Sequence, residues 1–300
     1  MALSTVTNRT FSLALIVDDF KQITKVGLTL SVVFSSVMGY LLGADIVSIK
    51  ELLVLGIGGY FTVGASNIFN QIIERDLDKQ MQRTANRPIA SGRMPVNMAL
   101  AIASTCAIFG IATLYYLNPK TAMFGAISIF LYTCVYTPLK TITPLAVFAG
   151  AFPGAIPFML GWVAATNNFG IEPGTLFMIQ FFWQFPHFWA IGWKLHDQYT
   201  KAGFKMLPTG KRDKATALQI IMYTLWMILA SVFPVTGLTG SLHLSIPAAV
   251  IIFILGVIML LYAFRLYRKR DDKSARALML ASVSYISLMQ IIYVIDKFIS

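Results

Sequence analysis

Leu52–Asn70 reads LLVLGIGGYFTVGASNIFN, and Gln71–Pro88 continues it as QIIERDLDKQMQRTANRP. The first stretch is apolar over about the 20 residues that a helix needs to cross a bilayer. The second opens with the carboxylates Glu74, Asp76 and Asp78, among which and after which stand Arg75, Lys79, Arg83 and Arg87. A membrane-crossing helix that runs directly into a dense charged segment sets the question for the whole chain.

The rest of the sequence repeats the first half of that pattern. Of 300 residues, 57% are hydrophobic and 12% charged, against about 25% charged in soluble domains. Apolar segments run over Val26–Ala44, Leu52–Asn70, Met98–Leu117, Ala122–Thr137, Pro144–Ala165, Gly174–Lys194, Ala215–Thr236, Ser245–Leu266 and Leu278–Ile295. The expected architecture is an all-α integral membrane protein with nine transmembrane helices around a central cavity. No separate soluble domain fits. Residues 26–300 form a single transmembrane domain, preceded by an arm over 1–25. The arm, MALSTVTNRTFSLALIVDDFKQITK, has a short apolar core followed by Asp18 and Asp19 and lacks a small-residue cleavage pattern. It reads as an interfacial helix rather than a removable signal.

Charge sets the orientation. Of the 24 lysines and arginines, only Lys50, Lys120 and Lys297 fall on the side opposite the rest, so the N-terminus is expected in the cytoplasm and the C-terminus outside. The net charge of +11 is spread over short loops between spans, which excludes a nucleic-acid surface. Cys106 and Cys134 lie within apolar segments without metal-ligand spacing and read as packing thiols.

If the second helix continues through the charged segment, Asn70, Glu74 and Asp78 recur at every fourth residue and share one face. Asp76 points away. One reading is a solvated helix end with ion pairs between neighbouring turns. Against it stand Asn67 and Asn70, polar at a depth where side chains face a cavity or partner. Oxygen donors along one face suit a hard divalent cation, above all Mg²⁺ sharing a phosphate, with cationic side chains for the remaining phosphate charge.

The pattern resembles the UbiA-type intramembrane prenyltransferases, whose first acidic motif reads NxxxDxxxD after the second helix. ERDLDKQMQRTANRP (Glu74–Pro88), YTPLKTITP (Tyr136–Pro144), GAFPGAIPFMLGW (Gly150–Trp162) and FFWQFPHFWAIGWKLHDQYTKAGFKMLP (Phe181–Pro208) are similar to the branch of that family that farnesylates haem. The similarity covers about Asn67 to Pro208. It implies that Asn70, Glu74, Asp78 and Asp197 bind Mg²⁺, that Lys140 joins them in catalysis, and that Arg75, Arg83, Arg87, Tyr136, Lys140 and Lys194 contact a diphosphate. It also implies farnesyl diphosphate and haem B as substrates, haem O as product, a bacterial plasma (inner) membrane location with a cytoplasmic active site, and haem A synthase or oxidase-assembly factors as protein partners. Two departures stand out: Glu74 replaces the family's Asp, and Trp193 occupies the position four before Asp197, where a second acidic motif has its first Asp.

Read alone, Tyr136 and Lys140 are an interfacial tyrosine and a snorkelling lysine. His187, after Pro186 and near Trp183, has two readings: a hydrogen bond to a neighbouring helix, or contact with haem iron. A prenyltransferase acting on an aromatic or quinone precursor would keep Asn70–Asp78 but have no use for the Trp183–His187 segment. A transporter would show inverted repeats with paired broken helices, and the sequence has none.

Overall fold

The computed structural model describes residues 13–300, and every regular element among them is helical. The order is α1 (Leu13–Thr24), α2 (Val26–Gly43), α3 (Ile49–Ile73), α4 (Arg75–Asp78), α5 (Val96–Leu117), α6 (Pro119–Phe130), α7 (Thr137–Ile142), α8 (Ala146–Thr166), α9 (Ile171–Lys194), α10 (His196–Lys201), α11 (Lys214–Val232), α12 (Ile246–Lys269) and α13 (Asp272–Ile299). A π-helical turn, Leu131–Tyr136, joins α6 to α7. Residues 1–12 of the arm lie outside the described residues.

Eight stretches are long and apolar enough to cross a membrane: α2, α3, α5, the run from α6 through α7, α8, α11, α12 and α13. The protein is therefore a multi-pass membrane protein. The remaining apolar segment of the sequence forms α9, long enough at 24 residues but diluted by Glu172, Gln180, Gln184 and His187. Its polar groups face protein rather than lipid: Gln180 and Gln184 are buried, and Gln290 of α13 donates to Gln180 Oε1 at 3.3 Å.

The helices form a closed circuit. α2 packs on α3 and α8, α3 on α5, α5 on α6 and α6 on α8. From α8 the circuit runs through α9, α11 and α12 to α13, which returns to α9 and α2. α8 is the centre, its apolar window 78% buried. Small residues set the α2–α8 contact: a β-carbon at Gly39 would strike the Phe158 carbonyl, and one at Gly161 the Ser36 carbonyl, the close backbone approach that small residues allow between membrane helices. On the other side, Lys297 near the end of α13 donates to the carbonyls of Leu41, Leu42 and Ala44 at 3.0, 2.9 and 2.6 Å. It caps the C-terminus of α2, whose last carbonyls have no partner within the helix.

Candidate active site

α3 carries the polar stretch to one end of the bundle and stops at Ile73, where Glu74 leaves helical geometry (φ −89°, ψ 5°); α4 resumes for one turn. The uninterrupted helix expected through Asp78 is thus broken. Its spacing survives the break, because the amide of Glu74 donates to the Asn70 carbonyl at 2.9 Å and that of Asp78 to the Glu74 carbonyl at 2.8 Å. Asn70, Glu74 and Asp78 end up buried, at 1%, 5% and 1% exposure, while Asp76 stays in solvent between Arg75 and Lys79. Those two cations hold the Asp76 carboxyl below the usual carboxylate range, Lys79 contributing most.

A buried carboxylate needs a partner to offset its lost hydration, and each of the three oxygen-bearing side chains has a cation of its own. Lys140 Nζ lies 2.8 Å from Glu74 Oε1 and Arg87 Nη1 lies 2.6 Å from Asp78 Oδ2. Lys25 Nζ donates to Asn70 Oδ1 at 3.2 Å. The amide of Asn70 is oriented from its other side, where Nδ2 donates to Thr137 Oγ1 at 3.1 Å.

Local sequence explains how Lys140 and Lys25 arrive there. Pro138 has no amide to donate to the preceding turn, and the helix widens there to a π turn in which Thr137 N–H reaches the Tyr132 carbonyl. The widened turn is of the kind that recurs at functional sites. It places the buried Tyr136 ring against Gly150, where a β-carbon would sit 2.6 Å from the ring, and puts Lys140 Nζ 4.4 Å from the centre of that ring. Lys25 adopts a left-handed backbone (φ 50°, ψ 57°) that ends α1 and starts α2. Burial, with Arg87 and Lys140 nearby, lowers the Lys25 ammonium to about 7.

Asp78 Oδ1 is buried and has no hydrogen-bond partner, an orphaned acceptor that a hard cation would satisfy. Among the described residues no group of three or more His, Cys, Asp or Glu side chains could hold a metal alone. Two carboxylates and one amide oxygen could hold Mg²⁺ only as an ion that completes its shell with water and phosphate oxygens.

Other residues singled out in the sequence are exposed. Arg75 pairs with Asp76 on the surface, and Arg83 and Lys194 are exposed. Asp197 has a partner of its own. Leu195 (φ −102°, ψ 14°) interrupts the helix after Lys194, and the Asp197 side chain, 77% exposed, pairs with Arg212 at 2.6 Å. Sequence reasoning missed Lys25 and Thr137 as neighbours of Asn70. Thr137 was visible as the residue inside the Tyr136–Lys140 pair, but no spacing signal links Lys25 to a residue 45 positions later. Sequence reasoning also missed the segment after α10, which docks on the site: the amide of Lys205 donates to the Lys140 carbonyl at 2.7 Å, and Phe204 lies 5.8 Å from Lys140 Nζ.

His187 and Trp183 form a second constellation. Their rings stack at 4.5 Å and 17°, and both bind Ser282 of α13: Trp183 Nε1 donates to its carbonyl at 2.7 Å, and His187 Nδ1 lies 2.8 Å from its Oγ. The Ser282 hydroxyl donates to the Met279 carbonyl at 2.7 Å. A serine has one proton to give; spent on Met279, it would make Nδ1 of His187 the donor and leave Nε2 its lone pair.

The model of the UbiA prenyltransferase family matches residues 32–288. The protohaem IX farnesyltransferase of Flavobacterium psychrophilum is 66% identical, the match covering 95% of this chain and 96% of that one; that of Flavobacterium johnsoniae is 62% identical over 97% and 98%. Among solved structures, a digeranylgeranylglyceryl phosphate synthase shares the fold with a TM-score of 0.77 at 15% identity, covering 93% of this chain and 98% of the other. A UbiA homologue from Archaeoglobus fulgidus bound to DMAPP and Mg²⁺ gives 0.67 at 14% identity, over 92% and 99%. With the family model spanning most of its length, the chain belongs to the UbiA prenyltransferase family.

Proposed function

We infer that this chain transfers the farnesyl group of farnesyl diphosphate to a vinyl group of haem B, giving haem O. The observation that carries the reading is the pairing of Asn70, Glu74 and Asp78 with Lys25, Lys140 and Arg87, in a chain whose relatives at 62–66% identity are protohaem IX farnesyltransferases.

In the reaction the allylic C–O bond of farnesyl diphosphate breaks and pyrophosphate leaves. The vinyl carbon supplies the electron pair of the new C–C bond, and water quenches the cation on the porphyrin side, releasing a proton and leaving a hydroxyethylfarnesyl group. Mg²⁺ held by Asn70 Oδ1 and the carboxylates of Glu74 and Asp78 would supply charge to the leaving pyrophosphate. Lys25, Arg87 and Lys140 turn toward the same anion and stabilise the charge that develops on it, with Tyr136 beside Lys140. The exposed Arg75, Arg83 and Lys194 are assigned to drawing the diphosphate in. The reading leaves Asp197 with Arg212 and assigns it no place in the ligand set.

Haem is a substrate in this reading. Nε2 of His187 is directed to its iron, and Trp183 stacks behind the imidazole to hold its plane. A UbiA enzyme acting on a quinone precursor would need neither. The reading includes nine spans, counting α9, around a central cavity open to lipid, with 26–300 as the transmembrane domain and 1–25 as an interfacial arm. The N-terminus and active site face the cytoplasm of a bacterial plasma membrane, the C-terminus lies outside, and haem O passes to haem A synthase or oxidase-assembly factors. The test is to incubate the purified protein with farnesyl diphosphate and Mg²⁺, with either haem B or 4-hydroxybenzoate as acceptor. Haem O by mass is expected; a product on 4-hydroxybenzoate alone would overturn the reading.

A further inference from the structure

We propose that Arg93, which touches neither Asn70, Glu74 nor Asp78, is a positioning residue that sets two cations of the site at once, Lys25 and Arg87. The proposal rests on the diphosphate role given above to those two side chains.

A guanidinium has five N–H donors in a fixed fork, and all five of Arg93 are used. Nε and Nη2 donate to Asp19 Oδ1 at 3.2 and 3.1 Å, and Nη2 also to Gln22 Oε1 at 3.2 Å. Nη1 donates to the Asn86 carbonyl at 2.9 Å and to Ser91 Oγ at 3.0 Å. The first three bonds grip α1; the last two grip the loop after α4. Each grip ends on a cation of the site. Ser91 Oγ donates to the Arg87 carbonyl at 2.8 Å, and Asn86 is the residue before Arg87, so Arg93 fixes the backbone from which Arg87 reaches Asp78.

On the other side, the last turn of α1 is tied down from α3. Gln71 Nε2 donates to the Ile23 carbonyl at 2.8 Å and Asn67 Nδ2 to the Thr24 carbonyl at 3.2 Å. These bonds fix the chain just before Lys25, and the grip of Arg93 on Asp19 and Gln22 sets the helix that leads into it. The left-handed turn at Lys25 then aims its ammonium at Asn70. Lys25 and Arg87 lie far apart in sequence, and Arg93 is the side chain that binds both of their supports. A lysine at 93 would keep the charge and lose the fork, since an ammonium cannot span acceptors on two segments in one plane.

A clamp that only stabilises α1 would alter folding and nothing else. Positioning predicts a selective effect on the diphosphate. The full-length protein is compared with Arg93→Lys and Asp19→Asn variants in detergent. Calorimetry gives the affinity for inorganic pyrophosphate with Mg²⁺, turnover gives KM for farnesyl diphosphate and for haem B, and thermal unfolding gives Tm. Loss of charge-assisted bonds to α1 is expected to weaken pyrophosphate binding about tenfold in each variant. KM for farnesyl diphosphate should rise in parallel while KM for haem B stays unchanged. The double variant should be no worse than the worse single, because both cut one link. Should Arg93→Lys fail to fold, Asp19→Asn carries the same expectation alone. Unchanged pyrophosphate affinity, whether or not Tm falls, overturns the clamp, as does an equal rise in both KM values. A wild-type protein that binds Mg²⁺-pyrophosphate yet makes no haem O overturns the proposed reaction instead, and the binding measurement still decides the clamp.

Discussion

Glu74 and Lys140 stand 66 residues apart in the chain and 2.8 Å apart in space, with side chains only 6% and 11% exposed. The pair joins the end of α3 to the turn that follows the π segment, so it is structural as well as chemical. Replacing one partner leaves the other buried and uncompensated. Lys140→Met should lower stability by about 3 kcal/mol, and adding Glu74→Gln should restore much of that loss. Thermal unfolding of the two variants beside the wild type reads both effects, and turnover should be absent in both variants. Equal Tm values for Lys140→Met and the double variant would show that the pair is not coupled.

The orphaned Asp78 Oδ1 and the burial of Asn70, Glu74 and Asp78 lead to a second expectation. Asn70→Ala, Glu74→Ala and Asp78→Ala should each abolish turnover in protein that still inserts and folds. Asp76→Ala should keep near-normal activity, because Asp76 spends its charge on Arg75 and Lys79 in solvent. Near-normal rates in any two of the first three variants would remove the metal site.

The sequence made the Asn70–Asp78 cluster readable because every fourth residue returns to nearly the same helix face, and that geometry survived the break at Glu74. Lys140 and Arg87 were readable through the motifs around them. Lys25 was not, since its approach depends on a left-handed backbone turn and on how α1 lies against α3, and neither leaves a periodic trace. Asp197 shows the reverse case. Its place near the end of α9 was readable, but the partner of its exposed side chain, Arg212, stands 15 residues on, where no helical spacing points to it. α9 was legible as a helix but less so as a span, because glutamines that face α8 and α13 lower its apolarity as much as exposed ones would.

Asp197 also distinguishes the structure from the simplest transfer of a family pattern. Its carboxylate is largely exposed and pairs with Arg212, which also meets Asp272 at 3.2 Å. Exposed pairs of this kind contribute about 0–1 kcal/mol. Asp197→Ala should therefore leave most of the turnover and the Mg²⁺ requirement intact. A loss as complete as that of Asp78→Ala would return Asp197 to the metal site.

Orientation can be checked by labelling. A single cysteine placed between Asn167 and Glu172 should react with an impermeant reagent from outside the cell, and one between Lys201 and Lys211 only after permeabilisation. Both require a chain in which Cys106 and Cys134 have been replaced, since Cys134 is exposed on the protein surface. The reverse pattern would place the Asn70–Asp78 cluster on the outer face, away from cytoplasmic farnesyl diphosphate.

The proposed haem contact of His187 can be tested against a purely structural role. Nδ1 of His187 is held 2.8 Å from the Ser282 hydroxyl, and the stacked Trp183 ring limits its rotation; with the proton on Nδ1, a lone pair on Nε2 would be presented in a fixed direction. An imidazole arranged in this way, with a second-side hydrogen bond fixing its tautomer, is how proteins prepare a ligand for a metal. His187→Ala should change the absorption spectrum of added haem B and weaken its binding, while the affinity for farnesyl diphosphate, set by the distant cations, stays the same. Ser282→Ala should shift the spectrum in the same direction by less, because it frees the ring without removing it. If His187 serves only to join α9 to α13, both variants should lower Tm and leave the haem spectrum untouched. That result would detach His187 from the substrate and leave the prenyl-transfer site standing on Asn70, Glu74 and Asp78.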